Sequence, residues 1–278
     1  MSKKQISIIG GPGQMGQLFT RLLGELGHQI QSIGINDWDN LQSRLCHSDL
    51  VIVSVPIAST LSVIQQLAPL LPAHCILCDF TSIKVEPLLA MLSCHSGPVL
   101  GLHPMFGPTI KSTSTQVIVH CSGRHSAAAQ WLLDDILRLG FTLKEMSASA
   151  HDQAMSFIQG LEHFLTFCLG SFLKHKGQHP EQLQEIASPI YLAKLMLLGR
   201  IFHQDANLYA SIISANPQRI TLLREFSTWI AHWVTELECN NQQAFVNEFN
   251  NTKQWMGKFT AAAQKISDEF LLHPYLAV

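Results

Sequence analysis

The segment Gln5-Ile-Ser-Ile-Ile-Gly-Gly-Pro-Gly-Gln-Met-Gly16 decides the fold, because it joins a short apolar run to a glycine-rich turn and a helical pattern. Gly11, Gly13 and Gly16 have the spacing of a dinucleotide-binding turn. The first allows a tight turn, the second lets the backbone approach a pyrophosphate, and the third lets the helix pack closely on the sheet. The helix N-terminus offers N–H groups and a positive dipole to the phosphates. We therefore predict cofactor contacts from Gly11, Gly13, Gln14, Met15 and Gly16.

Short apolar runs alternate with helical patterns through the first half of the chain. The apolar runs fall at 5–9, 29–33, 50–55, 75–79, 98–102, 116–121 and 141–145, and the helical patterns at 14–26, 58–70, 86–93 and 125–139. This alternation is typical of βαβ units around a mainly parallel sheet. From about residue 150 only helical periodicity remains, at 151–175, 181–203, 205–215, 217–239 and 241–270. We predict an α/β fold, with a Rossmann-type dinucleotide-binding domain over 1–148 and an all-helical substrate and dimerisation domain over 149–278.

The composition is globular, with 47% apolar and 14% charged residues. A net charge of −2 gives no electrostatic case for binding nucleic acid or a membrane surface. No apolar run reaches the roughly 18 residues of a membrane span, and no secretory segment precedes the first strand. Seven cysteines then favour free thiols in a reducing cytoplasm. Cys75 and Cys78 lie in an apolar strand pattern, so we interpret them as core residues and predict no metal site.

The end of the second strand bears on the choice of cofactor. An acidic residue there normally binds the adenosine ribose, but this strand ends at Gly34. Asp37, three residues later, is the candidate substitute. No Arg or Lys lies between Gln29 and Ser43 to favour a 2′-phosphate, so we predict NAD. Ser54 and Pro56 follow the third strand on the edge of the sheet where ligands bind, and we expect them to line the cofactor.

Polar groups follow two further strands on the same edge. Ser82 and Lys84 come after the fourth strand, and His103 follows the fifth in the loop Gly101-Leu-His-Pro-Met-Phe-Gly-Pro108. Hydride loss from a carbinol carbon needs an acceptor for the hydroxyl proton, and histidine suits that role near neutral pH. Ser82 would orient that hydroxyl or His103 itself. Together these groups indicate a nicotinamide-dependent dehydrogenase.

Five stretches, GGPGQMG, VIVSVPI, CDFTSIK, GPVLGLHPMFGP and HDQAMSFIQGLEHF, resemble the prephenate dehydrogenase family. The resemblance extends over nearly the whole chain and is in particular to the dehydrogenase half of the bifunctional chorismate mutase/prephenate dehydrogenases (T-proteins). It implies that NAD takes hydride from the ring carbinol of prephenate while the ring carboxylate leaves as CO₂, giving 4-hydroxyphenylpyruvate for tyrosine biosynthesis. No helical segment precedes residue 5, so we expect no mutase domain in this chain.

The resemblance also implies roles for individual residues. His103 matches the catalytic histidine, which accepts a hydrogen bond from the ring hydroxyl, and Ser82 matches the serine beside it. Lys84 matches a lysine of the active-site cleft. Arg200 matches an arginine that binds a substrate carboxylate, a role that suits the paired donors of a guanidinium; a salt bridge to a neighbouring helix is the alternative. His151 and His163 match histidines near the cleft and are expected to contact substrate.

The chain departs from its relatives at Gly34, at Glu162 and at Leu192, the last two standing where arginine is expected. The loss of two cations leaves open weaker prephenate binding, the loss of a regulatory site, or an amino analogue as substrate, such as arogenate or 4-amino-4-deoxyprephenate. A β-hydroxyacid dehydrogenase is a further alternative, but residues 151–173 lack the lysine that class requires. A non-catalytic nucleotide or tyrosine sensor is the third.

The helical half is unusually rich in apolar side chains. Its aromatic residues include Phe164, Phe167, Phe172, Phe202, Phe226, Trp229, Trp233, Phe245, Phe249 and Trp255. Helices this apolar pack in layers or bury a face against another subunit. We predict a homodimer formed through the helical domain.

Overall fold

The computed structural model describes residues 3–271 and divides the chain into two compact units. Unit 1 ends at Met155 and unit 2 begins at Ser156. Helix Ala148–Met155 packs on helix Val85–Cys94, so unit 1 extends past the boundary drawn from the sequence at 148/149.

Unit 1 is built on a seven-stranded sheet of order β2-β1-β3-β4-β5-β6-β7. The strands are β1 Gln5–Ile9, β2 Gln29–Ile33, β3 Leu50–Val53, β4 Ile76–Asp79, β5 Val99–Pro104, β6 Val117–Ser122 and β7 Thr142–Glu145. All neighbouring pairs are parallel except β5 and β6. In register, Ile9 pairs with Val53, and Val53 with Asp79. The carboxyl ends of β1, β3 and β4 therefore meet at one edge, which confirms the predicted α/β class.

Helices cover both faces of this sheet. They are α1 Gln14–Glu25, α2 Leu41–Leu45, α3 Ile57–Leu67, α4 Val85–Cys94, α5 Gln130–Arg138 and α6 Ala148–Met155. Consecutive strand residues enter separate apolar clusters, Ile8 on one face and Ile9 on the other. This burial on both faces explains why the central strands β3, β4 and β5 have nearly continuous apolar sequences.

Cys75 and Cys78 are core residues, as predicted. Both are fully buried, and they belong to clusters on opposite faces of the sheet. Two thiols on opposite faces cannot share a metal ion. Burial raises the pKa of Cys75 to about 12, so its thiol stays protonated.

Unit 2 is helical and begins with a π-helical segment, Ser156–Leu161. Its α-helices are α7 Glu162–His175, α8 Pro180–Gln184, α9 Pro189–Phe202, α10 Ala206–Ile213, α11 Pro217–Glu238, α12 Gln242–Met256 and α13 Phe259–Leu271. Two predicted helices are interrupted. The Ser188 side chain caps the new helix α9, and Gly257 separates α12 from α13 with a φ of +55°. Of the helices in residues 3–271, none is long and apolar enough to cross a membrane.

Candidate active site

Two glycines of the turn after β1, Gly11 and Gly16, have no room for a side chain. A Cβ at Gly16 would lie 2.6 Å from the Gly10 carbonyl oxygen, and one at Gly11 would lie 2.3 Å from Ser32 Oγ. Gly13 is the N-cap of α1, with no side-chain cap and no acidic residue in the first turn. The first N–H groups of α1 are therefore not taken up by a capping side chain or opposed by a carboxylate, an arrangement that fits a dinucleotide phosphate.

The other predicted cofactor residues surround this turn. Gln14 is exposed at the start of α1, whereas the Met15 side chain packs against the core. Ser54 donates its backbone N–H to the Ile9 carbonyl at 2.8 Å, which holds the loop after β3 against the end of β1. Pro56 is the N-cap of α3. These positions place all four on the carboxyl edge of the sheet.

Asp37 lies just past β2, in a 3₁₀ turn formed by Ile35–Asn40. Its Oδ2 accepts the Gly34 N–H at 2.8 Å, and its Oδ1 lies 3.1 Å from Arg44 Nη2. No Arg or Lys lies between residues 29 and 43 of the sequence, but the fold brings the next cation, Arg44, back to Asp37. Both a carboxylate and a guanidinium stand at the end of β2.

Lys84 has an environment different from the expected substrate contact. Its side chain is fully buried, forms an ion pair with Asp79 and donates to the Leu102 carbonyl at 2.8 Å. These contacts tie the end of β4 to the residue before His103. Ser82 is half-buried, and within residues 3–271 it makes no hydrogen bond to His103.

His103 is joined instead to His151. The His103 side chain is 2% exposed, and its Nδ1 lies 2.8 Å from His151 Nε2. His151 is fully buried on α6, and its Nδ1 lies 2.7 Å from Asp152 Oδ1. Asp152 also accepts the backbone N–H groups of Lys84 and Val85, at 2.7 and 2.9 Å. The chain Asp152–His151–His103, which we call the relay, lies wholly in unit 1.

Asp152 is ionised at neutral pH. Burial alone would raise its pKa, but hydrogen bonds from His151 and from the backbone N–H groups of Val85 and Lys84 outweigh burial and lower it. The relay therefore begins at a fixed negative charge.

Unit 2 has its own cluster of polar and basic side chains. The rings of His163 and Tyr209 lie 4.9 Å apart between centroids. Burial lowers the pKa of His163; Glu162 opposes this shift and Arg219 reinforces it. Burial raises the pKa of Tyr209, and the charge of Arg200 opposes that shift. Two arginines thus act on one neutral His–Tyr pair.

The two arginines differ in burial. Arg200 is exposed in the last turn of α9, and within residues 3–271 it makes no ion pair, so the salt-bridge alternative is not found there. Arg219 is fully buried at the start of α11 and donates to the Ile212 carbonyl. A Cβ at Gly160, in the π-helical segment, would lie 3.3 Å from Arg219 Cδ, so a glycine there makes room for the guanidinium.

The two positions that lack the expected arginine also differ. Leu192 is buried in the core of unit 2, at 5% exposure. Glu162 is exposed beside His163, and its carboxylate accepts the Thr166 hydroxyl at 3.2 Å. At position 162 a carboxylate therefore stands in place of the expected arginine, next to the His163–Tyr209 pair.

Sequence reasoning missed Asp152, Asp79 and Arg219. Asp152 directly follows His151, and a His-Asp dipeptide at the start of a predicted helix was the one signal available. Asp79 ends an apolar strand and precedes Lys84 by five residues, a spacing that does not reveal a pair. Nothing in the pattern of α11 distinguishes Arg219 from a surface arginine.

Two family models match the chain. One, described as the nucleotide-binding domain of prephenate dehydrogenase, covers residues 27–119, and the other, its dimerization domain, covers 147–251. The T-protein of Enterobacter agglomerans is 44% identical over 254 residues, which are 91% of this chain and 68% of that protein. The T-protein of Haemophilus influenzae is 39% identical over 267 residues, or 96% and 71% of the two chains.

A solved structure has the same fold. The prephenate dehydrogenase of A. aeolicus, in complex with hydroxyphenyl propionate and NAD+, superposes with a TM-score of 0.72 at 17% identity, covering 93% of this chain and 99% of that one. Both halves of the sequence match one family, and the two T-proteins are well above 30% identity over most of the chain. The protein belongs to the prephenate dehydrogenase family.

Proposed function

We propose that this protein catalyses the NAD-dependent oxidative decarboxylation of prephenate to 4-hydroxyphenylpyruvate, a step of tyrosine biosynthesis. The observation that carries the proposal is His103, buried at the carboxyl edge of the sheet and held through its Nδ1 by the relay. The glycine-rich turn, where no side chain caps helix α1, lies at the same edge, where ligands of α/β sheets bind. The family to which the chain belongs supports the same reaction.

The residues of unit 1 then have distinct tasks. Gly11, Gly13 and Gly16, with the N–H groups of Gln14 and Met15, bind the pyrophosphate. Bound NAD supplies the hydride acceptor. His103 accepts a hydrogen bond from the ring hydroxyl and stabilises the charge that develops as hydride leaves that carbon. The C–C bond to the ring carboxylate breaks as its electron pair enters the ring and CO₂ leaves, and the proton that His103 accepts from the ring hydroxyl returns to the phenol oxygen of the product.

Further residues bind and position the reactants. Ser54 and Pro56 line the cofactor, and Ser82 binds the substrate hydroxyl. Lys84 acts indirectly, by fixing the backbone of Leu102 next to His103.

In unit 2, Arg200 binds a substrate carboxylate and His163 contacts the substrate side chain. The Arg200 guanidinium is exposed and makes no ion pair within residues 3–271, so it can bind such a ligand without losing a partner there.

The experiment is a substrate panel. Formation of reduced cofactor is followed with prephenate, arogenate and 4-amino-4-deoxyprephenate, each with NAD and with NADP. We expect the highest kcat/KM for prephenate with NAD. Cofactor binding without turnover of any substrate would instead support a sensor.

A second candidate is the amino analogue, and Glu162 is the observation that favours it. A carboxylate beside His163 can pair with a substrate ammonium, which prephenate lacks. In the same panel, a higher kcat/KM for either amine than for prephenate would select this candidate.

We expect Asp37→Ala to weaken NAD binding by about tenfold, the loss of one charge-assisted hydrogen bond to the ribose. The same change releases Arg44 from its ion pair, so the preference for NAD over NADP should also fall. Dissociation constants for both cofactors measure this. Asp39→Ala, an exposed aspartate of the same 3₁₀ turn, is the control. An unchanged NAD constant in Asp37→Ala would remove Asp37 from the site.

The protein assembles as a homodimer through unit 2. Apolar side chains exposed on the described helices include Phe172, Leu197, Phe249, Trp255, Phe259 and Ile266. A groove of about 550 Å³ is lined by Trp233, Phe245, Phe249 and Met256 among others. Apolar surface of this extent is typical of an interface, and the matching family model is described as a dimerization domain.

Phe249→Lys should shift the protein from dimer to monomer, because a charge placed in an apolar interface loses its hydration. Leu89→Lys is a matched control, since Leu89 in unit 1 is 61% exposed and Phe249 is 62% exposed. Light scattering coupled to gel filtration measures both. A monomeric wild-type protein, or a Phe249→Lys variant that stays dimeric, would contradict an interface at this groove.

A cytoplasmic location is part of the proposal. All seven cysteines are free thiols, which supports a reducing compartment.

A further inference from the structure

We infer that Asp152, acting through His151, fixes the tautomer of His103 and thereby makes His103 Nε2 the atom that accepts the substrate hydroxyl proton. Asp152 is a positioning residue in this account, since it acts on the reacting atoms only through the two histidines. The catalytic consequence rests on the proposed function, whereas the tautomer itself is a property of the unliganded protein.

The relay is directional because a carboxylate only accepts hydrogen bonds. The low pKa of Asp152 keeps it ionised, so His151 Nδ1, at 2.7 Å, must carry a proton and donate it. A neutral imidazole has one N–H, so His151 Nε2 then carries a lone pair. The backbone N–H groups of Lys84 and Val85 hold the carboxylate in place at 2.7 and 2.9 Å.

The same argument applies to His103. Its Nδ1 lies 2.8 Å from the His151 Nε2 lone pair, so Nδ1 must donate and neutral His103 carries its lone pair on Nε2. Both rings are buried, at 2% and 0% exposure, which limits competition from water for these nitrogens. The opposite tautomer of His103 would place a lone pair against the lone pair of His151.

The arrangement also stabilises the charged form of His103. When His103 Nε2 takes the hydroxyl proton, its Nδ1–H remains bonded to His151, and the Asp152 charge lies at the far end of the relay. The competing interpretation is purely structural: Asp152 caps α4 through Lys84 and Val85 and holds α6 against it. The two interpretations differ in what a change at Asp152 does to the proton on His103.

The test replaces Asp152 with Asn. An amide can donate to His151 Nδ1, which reverses both bonds and leaves a proton on His103 Nε2. We expect kcat to fall by about 10²–10⁴-fold, as general-base loss does, with the NAD dissociation constant close to wild type. Glu86→Gln makes the same chemical change at an exposed site in the first turn of α4 and should leave kcat unchanged. A kcat for Asp152→Asn within about threefold of wild type would overturn the inference.

A double variant separates the relay from a structural effect. In a His103→Asn background, Asp152→Asn should lower kcat no further, because the tautomer of an absent ring cannot matter. An additional loss equal to that of Asp152→Asn alone would support the structural interpretation and overturn ours.

Imidazole ¹⁵N NMR of the wild-type protein tests the tautomer without any variant at Asp152. The His103 resonances are assigned by their loss in His103→Asn. We expect neutral His103 to be protonated on Nδ1 and unprotonated on Nε2, and the reverse pattern would overturn the inference. Because this measurement needs no substrate, it stands even if the protein fails to oxidise prephenate, whereas lack of turnover with a correct tautomer would count against the proposed function alone.

Discussion

Replacing His103 with Asn should lower kcat by about 10²–10⁴-fold and leave the NAD dissociation constant and Tm near wild type. The ring is buried at the end of β5 and held by the relay, so it is fixed before substrate binds. Asn keeps a hydrogen-bonding amide near the position of the ring Nδ1, but it is smaller than His and has no basic nitrogen. The loss should therefore fall on the chemical step and not on cofactor binding.

Steady-state kinetics with prephenate and a separate titration with NAD measure the two effects. His120→Asn is the control, because His120 lies on the neighbouring strand β6, where it pairs with Leu102. Burial lowers the pKa of His120, so it is neutral there and its loss removes no charge. An unchanged kcat in His103→Asn would remove this residue from the mechanism.

Arg200→Gln should raise the KM for prephenate at least about tenfold while NAD binding stays unchanged. A charge-assisted hydrogen bond contributes roughly 1.5–3 kcal/mol, and a guanidinium makes two to a carboxylate. Arg200→Lys should rescue poorly, since an ammonium does not reproduce the paired geometry. Because Arg200 is exposed and makes no ion pair within residues 3–271, its replacement should not unfold unit 2.

Substrate saturation curves and Tm values for each variant decide this prediction. Arg224→Gln, at an exposed arginine of α11, is the matched control and should have a wild-type KM. If KM rises equally in both variants, the effect is one of general charge, and the carboxylate is bound elsewhere. Arg219, the buried arginine of the same unit, is then the next position to change.

The sequence predicted the fold well because its signals are local. A strand, a glycine turn and a helix follow one another within residues 5–25, and the central strands β1, β3, β4 and β5 are buried on both faces. The five-residue helix α2 was missed because it is too short for a periodic pattern. The π-helical segment Ser156–Leu161 was predicted as α-helix, since the two share nearly the same apolar spacing.

The site was harder to predict because it depends on contacts between distant residues. His103 was recognised from its loop and from the family resemblance, but its partner His151 is 48 residues away. Lys84 was placed in contact with substrate, yet burial and Asp79 give it a structural environment. The sequence does not show whether a charged side chain is buried or which residue it contacts after folding. For this reason the contact of Arg44 with Asp37 and the burial of Arg219 in unit 2 were not predicted.

The most direct test of the central claim is product stoichiometry with prephenate carrying an isotopic label in its ring carboxylate. Purified protein, prephenate and NAD should yield NADH, labelled CO₂ and 4-hydroxyphenylpyruvate in equal amounts, and His103→Asn should lower all three together. NADH without CO₂, or no NADH from prephenate with either cofactor, would contradict the account.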